Sequence, residues 1–240
     1  MRHDFEIPGL RKTRAWYATA GTTAADQVGG FRNIGMAGGT ATAVAYSGAS
    51  RSGRLHKLRW VTAATAASIV TLRNATLEHA LSDSFMVAYR FKISDAADVT
   101  GARMFLGARN DATALTNVDP GTLTNVVGIG HNAGETTLRV YGGDGTAGTP
   151  VNLGASFSGL GSFAGFFDFQ IVGLGGDGAF WRAIAWDDAV SAGPSAVASG
   201  KFARAPAATT ALTALTAFRT NNATALAVAL DLAAVHISTL

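Results

Sequence analysis

A chain of 240 residues can bury a sizeable core in one domain, and 48% hydrophobic against 15% charged residues excludes an intrinsically disordered protein. Cysteine is absent, which removes disulfide frameworks and thiolate metal sites. The net charge of +3 is uneven: residues 1–59 hold nine Lys/Arg against Asp4, Glu6 and Asp26, a local +6 that leaves −3 for the rest.

The start, Met1 to Glu6, carries no long apolar run, so we expect no secretory leader. No stretch reaches the roughly 18 apolar residues of a membrane span, so no membrane insertion is expected. From there to about residue 60 the chain reads as irregular. Gly29-Gly30, Gly38-Gly39, Gly48 and Gly53 interrupt short Thr/Ala/Val runs such as Thr40 to Tyr46, which predicts an extended arm with short strands. Its scattered basic charges lack a helical stripe or interleaved aromatics, so an acidic protein partner or a solvated face is expected rather than nucleic acid.

Beyond residue 60 the pattern turns regular. Phe85, Val87, Tyr89, Phe91 and Ile93 alternate with Met86, Ala88, Arg90 and Lys92, a strand with one apolar face. Arg103 to Gly107 is a second strand, and Asp119-Pro120-Gly121 a turn. Val126 to Ile129 and Thr136 to Tyr141 read as strands around a loop at 130–134, followed by a tight turn at Gly142-Gly143-Asp144-Gly145. The aromatic runs Phe166 to Val172 and Phe180 to Trp186 flank a Gly/Asp turn and predict a hairpin. Ala207 to Leu215 is open between a helical turn and strand. The run from Leu226 to Ile237 changes phase at Ala233-Ala234, as a bulged closing strand would. Short strands at such spacing indicate an all-β jelly-roll sandwich over residues 60–240, preceded by the arm at 1–59.

Little of the sequence carries reaction chemistry. Gly173, Gly175 and Gly178 match the dinucleotide fingerprint, but an aromatic strand follows where a helix is required. The histidines (His3, His56, His79, His131, His236) show no metal-ligand spacing. Asp144 and Asp177 sit in Gly/Asp turns, where the side chain bonds the backbone. The glutamates Glu6, Glu78 and Glu135 form no alternating carboxylate pattern, and no Gly-x-Ser-x-Gly elbow occurs. We therefore expect no enzyme, no catalytic residues, no metal and no cofactor. Asp187-Asp188 beside Trp186 would suit a sugar cleft or a plain turn. For a ligand, the aromatics Tyr141, Trp181 and Trp186 are the candidate sugar-stacking residues.

Three segments, Ser82 to Phe91, Phe166 to Trp186 and Ala229 to Ile237, resemble concanavalin A-like (laminin-G-like) jelly rolls. Several runs, among them Val61 to Ala66, Pro120 to Asn125 and Arg219 to Val228, resemble bacteriophage and prophage appendage proteins of the fibre type. That resemblance implies a virion location and a structural or receptor-binding role, with other virion proteins and host-surface glycan as partners. A carbohydrate-binding module and a polysaccharide-degrading enzyme of the same fold are the alternatives. Ala-rich strands bury little area within one subunit, so a symmetric homo-oligomer is expected, and the resemblance makes a trimer the first choice.

Overall fold

The computed structural model describes residues 12–18, 34–37, 40–44, 50, 52, 55–74, 76–77, 79–175, 178–190 and 193–239. Gly29, Gly30, Gly38, Gly39, Gly48, Gly53 and Asp177 lie outside them. In chain order the strands are β1 (Lys12–Tyr17), β2 (Ile34–Ala37), β3 (Thr40–Val44), β4 (Lys57–Val61), β5 (Ile69–Asn74), β6 (His79–Ala80), β7 (Phe85–Ile93), β8 (Arg103–Arg109) and β9 (Val126–His131). They continue with β10 (Arg139–Gly143), β11 (Val151–Asn152), β12 (Phe166–Gly173), β13 (Ala179–Trp186), β14 (Ala196–Lys201), β15 (Ala211–Leu212), β16 (Thr216–Thr220) and β17 (Ala229–Thr239).

Two antiparallel sheets face each other. One runs β14-β13-β12-β7-β17-β4-β3, with β1 also paired to β17. The other runs β11-β10-β9-β8-β16-β5-β2. The alternation read in the sequence is the alternation of burial: Phe85, Val87, Tyr89, Phe91 and Ile93 are all buried, with half-buried residues between them. Phe167, Phe169 and Ile171 of β12 pair with that row and meet Met104, Leu106, Val127 and Ile129 from the opposing sheet. Each such side chain contributes about 1.5–3 kcal/mol by leaving water. Tyr89 keeps its hydroxyl in this core by donating to Ala214 O at 2.6 Å.

The expected hairpin is present as β12–β13, turning through Gly175 and Gly178, both at positive φ. The phase change in β17 is a bulge between Leu232 and Ala234. Ala207 to Leu215 resolves as a turn, Thr210 N donating to Ala207 O, followed by β15. The Asp119-Pro120-Gly121 turn is a short 3-10 segment, and Gly121 is not at positive φ. An added Cβ there would lie 3.2 Å from the Asn132 side-chain amide, close enough that the amide would have to shift.

The expected boundary at 59/60 falls inside β4. In its described parts the 1–59 segment is sheet: β1 pairs with β17, β2 with β5 and β3 with β4. Gly-broken runs carry little period of their own, and β1 finds its partner only at the far end of the chain, while β2 and β3 pair with β5 and β4 nearer by. Deleting residues 1–59 strips β1, one of two partner strands, from Ala234–Thr239 of β17, leaving β7 on the other side, and removes Trp16 and Leu58 from the core. The 60–240 fragment is therefore expected to aggregate or to melt on the order of 10 °C below the full chain. Calorimetry showing equal Tm for both would contradict the pairing.

Candidate functional site

Strand β8 is buried along nearly its whole length because both of its faces are covered. Met104, Leu106 and Ala108 point into the sandwich. Phe105 points outward, where it joins Leu115, Val126, Tyr141 and Phe218 in a second, smaller core. That outer core is roofed by residues 110–125, the connection from β8 to β9, which folds back over its own sheet as a flap.

Both ends of the flap are tied. At one end Asn110 N donates to Asn125 O at 3.1 Å, and the Arg73 guanidinium donates to Ala112 O. Arg109 Nη2 lies 2.6 Å from Asp111 Oδ2, while Asp111 Oδ1 accepts the Thr113 amide at 2.7 Å. The Thr113 amide, with Arg109 and Arg73 adding, holds the Asp111 carboxyl below the usual carboxylate range. At the other end Gly121 N donates to Asn132 Oδ1 at 2.9 Å, and Arg103 Nε to Asp119 Oδ1 at 2.7 Å. Leu115 and Leu123 dip into the outer core between these ties.

The flap itself encloses an open hollow of about 380 Å³, lined by its two limbs, 113–118 and 122–124, and by Arg109 at the end of β8. Arg109 and the hydroxyl-bearing Thr113, Thr116, Thr122 and Thr124 line it together with Leu115, Val118 and Leu123. Threonine hydroxyls both donate and accept, a guanidinium donates only, and the aliphatic groups offer dry contact. Such a lining suits a small polyhydroxylated ligand with apolar C–H faces, in the size range of small-molecule sites.

The three aromatics singled out from the sequence do not come together, and they sit in strands rather than turns. Tyr141 is 2% exposed in the outer core and donates to Glu135 Oε2 at 3.2 Å; burial and that carboxylate raise its phenol pKa. Trp181 is 6% exposed on the other sheet and packs in the main core. Neither ring face is open for sugar stacking. Trp186 is half-buried, stacked on Phe166 at 5.8 Å, with its indole N–H on Asp168 Oδ2 at 2.8 Å. Asp188 accepts the Ser52 amide at 2.7 Å and Asp187 the Ala189 amide at 2.9 Å, which makes this pair a turn. Asp144 likewise bonds the Thr146 amide at 2.8 Å. Among the described residues no three His, Asp or Glu side chains gather as a metal site.

Behind the cavity rim a buried network spans the sandwich. The Arg219 guanidinium, fully buried on β16, donates to Asp95 Oδ2 and to His131 Nε2. Asp95 Oδ1 accepts Ala229 N at 2.7 Å, and His131 Nδ1 donates to Asn132 O at 3.2 Å. These partners are 88 and 124 residues apart from Arg219 in the chain, so no local motif announces them. Arg103 escaped the sequence reading in part for the same reason, its partner Asn222 lying 119 residues away. Arg109 and the flap threonines lie together within 109–124 and escaped it because nothing in an irregular loop marks which side chains will line a cavity. The available signal was the Thr/Asn-rich, sixteen-residue stretch without periodicity between two strands, a length at which loops commonly carry function.

No protein-family model matches the chain, and no curated protein matches it in sequence. Solved structures do match in fold. The carbohydrate recognition domain of Emp47p superposes with a TM-score of 0.58 at 13% identity, covering 94% of each chain. Peanut lectin with a nine-residue peptide gives 0.56 at 9% identity, covering 95% of this chain and 97% of its own. A protein of unknown function from Shewanella oneidensis MR-1 gives 0.52 at 11%, covering 95% and 86%. The chain is thus an all-β jelly roll of the lectin-like class. At such identities the likeness is one of fold.

Burial, then the nearby Arg219 charge, pushes His131 down to about 3 from 6.5. The unfolded chain takes up a proton near pH 6.5 and the native one does not until about pH 3. Stability is therefore full above pH 6.5 and falls with pH below it, by up to about 1.4 kcal/mol per unit. Between pH 7 and 5, urea unfolding of the wild type is expected to lose about 2 kcal/mol more than that of His131→Gln. Parallel pH curves would show that His131 is not held neutral.

Proposed function

We propose that the chain is a non-catalytic receptor-binding component of a phage or phage-like particle, and that it binds a host-surface glycan in the open hollow of the flap. The observation that carries this reading is the cavity itself: Arg109 at the end of β8 and four threonines on a flap tied to the sheet at both ends, with Leu115, Val118 and Leu123 as the apolar part. Hydroxyl-rich walls match the hydroxyls of a sugar, and burial of its C–H faces against leucine and valine supplies the remaining affinity. The lectin-like jelly roll supports the same chemistry at the level of fold, and the fibre-type sequence resemblance supports the virion setting. Recognition through a loop on a fixed scaffold needs no catalytic group.

A glycan array probed with the full chain tests this directly. Retention of a defined glycan is expected, and Thr116→Val/Thr124→Val, which keeps shape but removes two hydroxyls, should weaken it roughly tenfold or more. No retained glycan, or equal binding by the double variant, would overturn the assignment.

The proposal includes self-association into a symmetric homo-oligomer, with a trimer as the first expectation. Val197, Ile184, Asp168, Arg90, Ala234 and Tyr17 form one cross-strand row on the larger sheet. Its two ends, Tyr17 at 62% and Val197 at 52%, are exposed large apolar residues. Light scattering is expected to give a multiple of the 24.5 kDa chain mass, reduced to the monomer by Tyr17→Glu. A wild-type monomer at micromolar concentration would remove oligomerisation from the proposal.

A further inference from the structure

The rim of the cavity is organised around one side chain. Arg103, the first residue of β8, donates Nε to Asp119 Oδ1 at 2.7 Å. Its Nη1 meets Asn117 Oδ1 at 2.8 Å, Asn222 Oδ1 at 2.9 Å and Asn117 O at 3.3 Å. Four oxygens from two segments distant in sequence thus converge on a guanidinium whose side chain is 16% exposed. The cage is closed from outside: Asp119 Oδ1 also accepts Ala133 N at 3.0 Å, and Thr220 Oγ1 reaches Asn117 Oδ1 at 3.3 Å.

Carboxylate, side-chain amide and backbone carbonyl oxygens are the ligand set that also draws a hard divalent cation. Here the positive charge at the centre is carried on a strand. We propose that Arg103 is the positioning residue of the cavity, a built-in cation that holds the flap in its binding shape, so that recognition there needs no added divalent ion. The inference rests on the glycan reading of the cavity. Its geometric basis is that Thr116 and Val118 line the cavity while Asn117 and Asp119, interleaved with them, turn to Arg103. One face of a short segment is the cavity wall and the other is the cage. A flap left free would have to be ordered at the moment of binding, and a fixed fork of donors meets that ordering cost in advance. Lysine supplies the charge as a single point and cannot hold oxygens on Nε and Nη1 together.

Hydrogen–deuterium exchange on the unliganded full chain, with glycan titration beside it, tests the idea. Wild-type peptides over 116–124 should exchange equally slowly with and without EDTA. Arg103→Ala and Arg103→Lys should each speed exchange there roughly tenfold or more while β12 and β13 stay protected, which shows that the fold is intact. Glycan affinity should fall at least about tenfold in both variants and be indifferent to EDTA in the wild type. Flap opening by EDTA, or unchanged exchange in either variant, would overturn the role of Arg103. If the exchange pattern holds and no glycan binds, Arg103 still organises the flap and the glycan reading alone fails.

Discussion

A fully buried guanidinium sets the relation between the two sheets. Arg219 stands on one sheet and its partner Asp95 follows β7 of the other, while Asp95 in turn holds the first amide of β17. Taking charges out of water costs several kcal/mol per ion. Asp95 and His131 engage two of the guanidinium nitrogens, while Nε is left without a hydrogen-bond partner among the described residues. His131, kept neutral, accepts from Arg219 with one ring nitrogen and donates to Asn132 O with the other. From Asn132 the chain of contacts passes to Gly121 in the flap. Residues 219–222 work in both directions: Arg219 points into the sandwich, whereas Thr220 and Asn222 reach the outer cage around Arg103. The interior pin and the cavity rim are therefore one hydrogen-bonded structure.

The flap shows how a long irregular loop can be held in one shape. Ordering sixteen residues costs conformational entropy on each, of order 1–2 kcal/mol per residue for the backbone. Against that stand the outer core around Phe105 and Phe218, three guanidinium anchors, and a 3-10 turn in which Leu123 N donates to Pro120 O. Loop residues held this way can present hydroxyls to a ligand at fixed spacing, which a mobile loop cannot do without losing affinity.

The jelly roll is shared with lectins at 9–13% identity, which shows how little of it depends on particular side chains. Alternating apolar residues, antiparallel pairing and a two-layer core are enough. Function is carried by sites grafted on such a frame, so the flap residues, rather than the frame, distinguish this chain.

By itself the sequence determined what period and turn chemistry can encode. The β7 alternation from Phe85 to Ile93, the β12–β13 hairpin through Gly175 and Gly178, and the bulge at Ala233 all follow from local pattern, because strand burial repeats every second residue. Only the tertiary structure decided that the Gly-broken strands before residue 59 belong to both sheets, since β1 pairs with β17 at the far end of the chain and β2 and β3, though their partners β5 and β4 are nearer, enter opposite layers. It also decided that Tyr141 and Trp181 are core residues: an aromatic on a strand reads the same whichever face is covered, and here the 110–125 flap covers one of them. Arg103, Asn117, Asp119 and Asn222 looked like ordinary loop and strand-end polars. The β8–β16 pairing and the fold of the flap bring Asp119, Asn117 and Asn222 each within 3 Å of Arg103, and hydrogen bonding across 119 residues leaves no trace in any local window.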